Sequence, residues 1–186
     1  MDENKSRRIS IAVDMDGVLA DTETHFISYY EGETGVRVDR NTLLGLPENL
    51  AFPDKTAVRR YVNTAGFFRT LPLIPGGQQA IQTLMRDFDV YIVSAAMEFP
   101  LSLYEKKLWM EEHFPFVSWK NIVFCGDKSI IGTDYLIDDH LKNLDYFRGK
   151  PLLFTASHNI HVNHHHRLNN WSEILLYFEN LRNSGD

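Results

Sequence analysis

Residues 9 to 21 decide the fold prediction for this chain; they are Ile9-Ser10-Ile11-Ala12-Val13-Asp14-Met15-Asp16-Gly17-Val18-Leu19-Ala20-Asp21. An apolar run of about five residues that ends in Asp and Gly predicts a buried strand of a parallel sheet. Parallel sheets bind their ligands at the carboxyl ends of the strands, so Asp14 and Asp16 lie where chemistry is expected. The alternative is that both aspartates only begin a turn, because Asp and Gly are common turn residues.

Length and composition limit the class of protein. The chain has 186 residues, of which 44% are hydrophobic and 24% charged, as in a globular protein with one core of ordinary size. The net charge of −6 disfavours polymeric nucleic acid as a partner, because a phosphate backbone needs clustered Lys and Arg. A single cysteine, Cys125, indicates a reducing compartment, and no apolar run approaches the roughly 20 residues that span a bilayer. We therefore expect a cytoplasmic protein with no membrane partner, either a monomer or a homodimer.

The segment after the first strand is predicted to be helical. Residues 21–75 show no strand pattern, and helices are expected over 22–33 and from an N-cap at Asp54 to Val62. Such an insertion is much longer than an ordinary strand-to-helix loop, which has about 2 to 6 residues. We therefore predict a small helical cap (residues 21–75) on a core formed by residues 1–20 and 76–186.

From Pro75 onward, strands and helices alternate, which predicts a doubly wound parallel α/β sheet. The predicted helices are 77–88, about 101–113, one starting at Asp139, and 171–181; the predicted strands are 89–94, 121–125, 134–138 and, as the last of the sheet, 152–155.

A parallel sheet brings the polar residues at its strand ends to one edge. The residues concerned are Asp14, Asp16, Ser94, Lys128, Asp138 and Asp139. Several carboxylates without a surplus of basic groups repel one another, so a divalent cation is expected among them, and oxygen ligands favour Mg²⁺. A hard cation next to a lysine suggests a phosphate between them, with Asp14 as the candidate nucleophile of a phosphoryl transfer.

The motifs Asp14-Met15-Asp16-Gly17-Val18, Ser94, Lys128 and Asp138-Asp139 resemble, in order, the four motifs of the haloacid dehalogenase superfamily. This resemblance implies a Rossmann-like core in which Asp14 attacks phosphorus and Asp16 protonates the leaving oxygen and then activates water. It also implies Mg²⁺ bound by Asp14, the backbone carbonyl of Asp16, and Asp138, with Asp139 in a supporting position. The phosphate-binding residues that it implies are Ser94, Lys128, Gly17 and Ala95.

The resemblance narrows to the 5′(3′)-deoxyribonucleotidase family over most of the chain. The matching segments are Asp14-Met15-Asp16-Gly17-Val18-Leu19-Ala20-Asp21, Gly66-Phe67-Phe68-Arg69, Leu73-Ile74-Pro75-Gly76, Gly126-Asp127-Lys128 and Leu136-Ile137-Asp138-Asp139-His140. It implies a small phosphorylated substrate, a deoxynucleoside monophosphate, whose base stacks on cap aromatics matching Phe67 and Phe68. The alternative for these two rings is packing within the cap, which we expect for at least one of them.

Two departures from the family pattern leave the substrate open. Thr22 stands where nucleotide-preferring members carry an aromatic residue, and His140 stands where an arginine is common; we include both in the predicted substrate pocket. They favour a sugar phosphate or another small phosphorylated metabolite as the alternative substrate. A non-catalytic phosphate-sensing or partner-binding domain is disfavoured by the presence of both Asp14 and Asp16.

The histidines between residues 158 and 166 form the remaining conspicuous cluster; they are His158, His161, His164, His165 and His166. We favour a tolerant surface loop over a transition-metal site, because the segment contains no cysteine and no spaced carboxylate.

Overall fold

The computed structural model describes residues 7–184, in which strands and helices alternate after a helical insertion. The strands are β1 (Ser10–Val13), β2 (Asp89–Ser94), β3 (Ile122–Phe124), β4 (Tyr135–Asp138), β5 (Lys150–Phe154) and β6 (His166–Leu168). The helices are α1 (Thr22–Thr34), α2 (Ala57–Tyr61), α3 (Gly77–Asp87), α4 (Ser102–His113), α5 (Leu141–Leu144) and α6 (Trp171–Ser184).

The strands form one 6-stranded parallel sheet in the order β3-β2-β1-β4-β5-β6, which confirms the predicted doubly wound α/β fold. From β1 the chain builds outward through β2 and β3, and it then returns across β1 to add β4. The strand order therefore reverses between β1 and β4, and the crevice at such a reversal is where open α/β sheets bind ligands. Asp14 follows β1 directly, and Asp138 is the last residue of β4.

One apolar cluster joins the sheet to the helical cap. Ile11 and Val13 on one face of β1 belong to the same cluster of buried residues as Phe26 and Phe67 of the cap, whereas Ala12 packs on the opposite face of the sheet. The alternation follows from the two-residue period of a strand.

Helix α4 holds the cap by polar contacts as well. The Glu105 carboxylate accepts hydrogen bonds from the backbone nitrogens of Gly66 (2.6 Å), Phe68 (3.0 Å) and Arg69 (3.3 Å). The indole nitrogen of Trp109 donates to the Leu71 carbonyl at 2.7 Å. The loop that carries the phenylalanine pair is therefore tied to the core.

Two predicted elements differ from the structure. The helix expected from an N-cap at Asp54 begins only at Ala57, because Asp54 instead forms a turn in which its Oδ1 accepts from the Thr56 nitrogen at 2.9 Å. The sheet does not end near residue 155, since β6 adds an edge strand in the histidine-rich segment. Of its residues only Leu168 is buried, so β6 lacks the apolar pattern that predicts a strand.

Among residues 7–184, none of the helices combines the length and the apolar character needed to cross a bilayer.

Candidate active site

Three buried carboxylates meet at the reversal between β1 and β4. Asp14, Asp138 and Asp139 are 4%, 0% and 1% exposed, and each offers an oxygen within 4.8 Å of those of the other two. Asp14 is more than a hundred residues away in sequence from the other two, and the sheet order brings them together, as expected from the sequence. Burial raises the pKa of Asp14 to about 7, with Asp138 adding to the effect, and burial likewise raises the pKa of Asp139 well above its ordinary value.

Lys128 lies between two of these carboxylates. Its Nζ is 2.6 Å from Asp14 Oδ1 and 2.7 Å from Asp138 Oδ2, and the side chain is fully buried. Burial lowers the pKa of this ammonium, but the attraction of Asp14 and Asp138 outweighs burial and raises it. Lys128 is therefore a fixed positive charge with one N–H left for a further acceptor.

The hydrogen bonds to the two consecutive aspartates differ sharply. Asp138 Oδ1 accepts from the His140 nitrogen (2.9 Å) and from Asn143 Nδ2 (3.0 Å), while Oδ2 accepts from Lys128 and from the same Asn143 group at 3.0 Å. These contacts fill the lone pairs of Asp138. Asp139 Oδ1, in contrast, is buried and has no hydrogen-bond partner among the described residues. Asp139 therefore keeps the free oxygen of the pair.

Gly17 makes room for Asp139. Its φ of +70° disfavours any side chain, and a Cβ there would lie 2.0 Å from Asp139 Oδ2. Gly17 is one of the predicted phosphate-binding residues, and its nitrogen donates to the Ala20 carbonyl at 2.8 Å. Gly17 thus shapes the turn and the position of Asp139.

Asp16 is held by a lysine that the sequence motifs do not include. Lys106 of α4 is 2% exposed, forms an ion pair with Asp16 Oδ2, and donates to Ser94 Oγ at 3.0 Å. Its ammonium also lies 4.8 Å from the centre of the Phe68 ring. The other carboxylate oxygen, Asp16 Oδ1, is buried and has no partner among the described residues. Asp16 is thus anchored through one oxygen and has the other available.

The predicted substrate-pocket residues share a cavity of about 150 Å³ with the charged residues. Its lining includes Asp14, Asp16, Lys106, Lys128 and Ala95 together with all the predicted pocket residues, Thr22, Phe67, Phe68 and His140. Ser94 is fully buried, does not line this cavity and accepts a hydrogen bond from Lys106.

Neither phenylalanine offers an uncovered ring face to a ligand. Phe67 is 0% exposed and packs against His25, Phe26 and Phe68, as expected for at least one of the two rings. Phe68 is covered by Lys106 and stacks on Phe99 with ring centres 5.9 Å apart.

A larger cavity of about 580 Å³ adjoins the first one. Thr22, Phe26, Glu48 and Asp139 line both cavities. The rest of its wall combines cap residues such as Leu43 with the segment after β5 and the start of α6. Its volume is in the range of small-molecule sites, roughly 300 to 1,000 Å³.

Glu48 and His158 are further residues here that the sequence did not place in the site. Glu48 is half-buried, with 35% of its side chain exposed, and partial burial together with the charge of Asp16 raises its pKa to about 7. His140 Nε2 lies 3.8 Å from Glu48 Oε2, and its ring stacks on His158 at 4.3 Å. Burial lowers the pKa of His140 to about 4, so near neutral pH it does not supply the charge of an arginine.

A signal for Lys106 emerges only once the buried face of its helix is known. Helix α4 buries Ser102, Glu105, Lys106 and Trp109, which are spaced as one helical face. Charged residues within a buried helical face indicate a polar site rather than a core contact.

Comparison with known proteins agrees with this geometry. Residues 7–180 match the model of the family described as 5′ nucleotidase, deoxy (Pyrimidine), cytosolic type C protein. A relative from Staphylococcus epidermidis is 37% identical over 175 residues, covering 94% of this chain and 98% of its own. The 5′(3′)-deoxyribonucleotidase of Bacillus subtilis is 36% identical over 173 residues, covering 88% of this chain and 95% of its own.

The fold has solved counterparts. A haloacid dehalogenase family hydrolase from Deinococcus radiodurans, solved with bound phosphate and sodium, superposes with a TM-score of 0.64 at 13% identity over 92% of this chain and 95% of that one.

Proposed function

We propose a reaction for this chain, which belongs to the 5′(3′)-deoxyribonucleotidase family of the haloacid dehalogenase superfamily and is a phosphoric monoester hydrolase. In this reaction the chain dephosphorylates a deoxynucleoside monophosphate through a covalent phosphate on Asp14. The observation that carries the proposal is a set of reactive side chains that line the smaller cavity. These are an aspartate nucleophile beside a buried lysine, and a second aspartate with a buried, unpartnered oxygen among the residues described.

The first half of the reaction uses Asp14 and Asp16. The hydrogen bonds to Asp14 from Met15 (2.6 Å) and Lys128 both fall on Oδ1, which leaves Oδ2 to attack phosphorus. As the Asp14–phosphorus bond forms, the ester bond breaks, and Asp16 Oδ1 gives a proton to the leaving oxygen. The remaining N–H of Lys128 is positioned by its contacts to bind a phosphoryl oxygen, whereas Ser94 is buried and bound to Lys106 and acts by positioning that lysine.

The second half reverses the role of Asp16. The carboxylate left after proton transfer takes a proton from water, and the water oxygen attacks the phosphorus of the covalent intermediate. Inorganic phosphate leaves and Asp14 is regenerated. Lys106 keeps Asp16 in one orientation through both halves, because it binds the oxygen that takes no part in proton transfer.

The carboxylates fit a divalent cation. With every group ionised, as after Asp16 has given up its proton, Asp14, Asp16, Asp138 and Asp139 against Lys106 and Lys128 leave two uncompensated negative charges, which one divalent cation balances. An all-oxygen donor set favours Mg²⁺, and bound Mg²⁺ would offset negative charge on the phosphoryl group.

We assign the roles of the aspartate pair in the opposite sense to the one expected from the sequence. Asp138 is saturated by hydrogen bonds, so it orients Lys128, whereas the free Oδ1 of Asp139 is a candidate cation ligand together with Asp14 and the backbone carbonyl of Asp16. Gly17 permits this position of Asp139.

We place the nucleoside in the larger cavity. The smaller cavity, about 150 Å³, suits a phosphoryl group, and the adjoining 580 Å³ begins at Thr22 and Glu48. Thr22, a small residue, lines both cavities and leaves this passage open. We also propose a cytosolic location, in line with the family description and the free thiol of Cys125.

A panel of phosphate monoesters tests the proposal. It compares deoxy- and ribonucleotides, 5′ and 3′ isomers and sugar phosphates, each with Mg²⁺ and with a chelator. We expect the highest kcat/KM for a deoxynucleoside monophosphate and loss of turnover with the chelator. Equal or better turnover of sugar phosphates would refute the nucleotide assignment, and chelator-resistant turnover would refute the Mg²⁺ assignment.

A further inference from the structure

Two adjacent histidines converge on one carboxylate outside the lining of both cavities. His164 and His165 precede β6, and Asp145 caps the end of α5, where its backbone nitrogen donates to the Leu141 carbonyl at 2.9 Å. His164 Nε2 lies 3.1 Å and His165 Nε2 lies 2.7 Å from the same atom, Asp145 Oδ1. The fold thus supplies the carboxylate that the histidine segment itself lacks.

We propose that Asp145, His164 and His165 form a binding site for a divalent transition-metal ion of the Zn²⁺ class. Their ligand atoms all lie within 4.8 Å of one another. Tetrahedral coordination at Zn–N and Zn–O distances of about 2.0–2.1 Å separates ligands by about 3.3 Å. The observed separations of 3.1 and 2.7 Å are close to this value, so small movements of the exposed Asp145 and His164 side chains around the nearly buried His165 are enough to admit the ion.

The chemistry of the donors selects this class of metal. Two imidazoles with one carboxylate suit Zn²⁺ and its neighbours, whereas Mg²⁺ prefers oxygen ligands only. On binding, the Nε2 lone pair of each imidazole would face the ion, with the ring proton on Nδ1. Asp145 and His164 are 41% and 55% exposed in their side chains, which leaves an approach from solvent and a place for a water ligand.

The site differs from the other group of histidines and a carboxylate, Glu48 with His140 and His158. There His158 Nε2 donates at 3.0 Å to the backbone carbonyl of Asp139, an atom outside the group, so binding a metal would break a contact that supports the reaction site. At Asp145 the ion would only replace hydrogen bonds among its own ligands. A bound ion would fasten the edge strand β6 to the end of α5.

The test is a titration of Zn²⁺, by calorimetry, into the full chain carrying Asp14→Asn, with millimolar Mg²⁺ present to compete at the acidic site. Co²⁺ provides a second readout, since coordination by nitrogen ligands produces visible absorption bands. We expect one saturable site per chain, with affinity reduced by at least about tenfold by His164→Ala, His165→Ala or Asp145→Asn. His166→Ala is the matched control, because His166 is in the same segment and packs instead on Tyr177.

Three outcomes would overturn the proposal. They are no saturable binding, equal affinity in the Asp145→Asn variant, and an equal loss in the His166→Ala control. Circular dichroism of each variant confirms that it is folded. Because the titration measures binding and not turnover, its result is independent of the phosphatase mechanism.

Discussion

Lys106 provides the most discriminating test of the mechanism. We predict that Lys106→Met lowers kcat/KM for a deoxynucleotide much more than for p-nitrophenyl phosphate. The substitution keeps an unbranched apolar chain against Phe68 but removes the ammonium that binds Asp16 Oδ2 and Ser94 Oγ. Asp16 then loses its fixed orientation as a proton donor. A nucleoside alkoxide leaves poorly without a proton, whereas p-nitrophenolate leaves readily.

The size of the effect follows from the proton transfer that Asp16 performs. General acid catalysis contributes about 10²–10⁴-fold, and because Asp16 is still present, we expect a loss near the lower end, about 100-fold, for the nucleotide. For p-nitrophenyl phosphate the loss should stay below about tenfold. Removing the buried donor leaves acceptors unpaired, for which a stability loss of about 1–3 kcal/mol is expected.

For each variant, steady-state kinetics give kcat/KM for both substrates, and a denaturant melt gives the free energy of unfolding. Lys107→Met is the matched control, since Lys107 is the next residue of α4 but pairs with Glu111 on the surface. This substitution should leave the ratio of kcat/KM between the two substrates and the free energy of unfolding nearly unchanged. An equal loss on both substrates, or no loss on the nucleotide, would refute the assigned role of Lys106.

Further variants address the nucleophile, the cation and the base. Asp14→Asn should abolish turnover while the melting curve stays cooperative, because shape is kept and the nucleophile is lost; full activity would contradict the covalent scheme. Asp139→Asn should raise the Mg²⁺ concentration needed for half-maximal rate by more than about tenfold. Asp138→Asn should instead lower stability by about 3 kcal/mol, since Lys128 loses a buried partner; the reverse pattern in these two variants would restore the roles expected from the sequence. Ile160→Trp, which narrows the larger cavity, should raise KM for nucleotides and not for p-nitrophenyl phosphate. If only Phe68→Ala has that effect, the base stacks on the Phe68 ring and the placement in the larger cavity is wrong.

The sheet and the central carboxylates are predictable because their signal is local. An apolar run that ends at Asp14 and another that ends at Asp138 identify two strand ends, and the alternation of helices and strands makes the sheet parallel. Rules of parallel sheets then bring the two ends together.

Other parts of the site depend on contacts that no local pattern contains. Lys106 belongs to a helix whose buried face has to be known before its charge becomes informative. The different roles of Asp138 and Asp139 depend on where Asn143 directs its amide. Similarly, a histidine segment without a nearby acid gives no reason to expect Asp145 beside it.

Gly17 has a consequence for how this chain can change over generations. Its missing side chain is replaced in space by a carboxylate from a distant part of the sequence, and its backbone has a positive φ. Shortening Asp139 would relieve the steric conflict of a new side chain at position 17 but not the backbone conflict. A shorter residue at position 139 therefore does not compensate for a side chain at position 17. Lineages that keep the activity are expected to keep glycine here even where the surrounding apolar residues exchange freely.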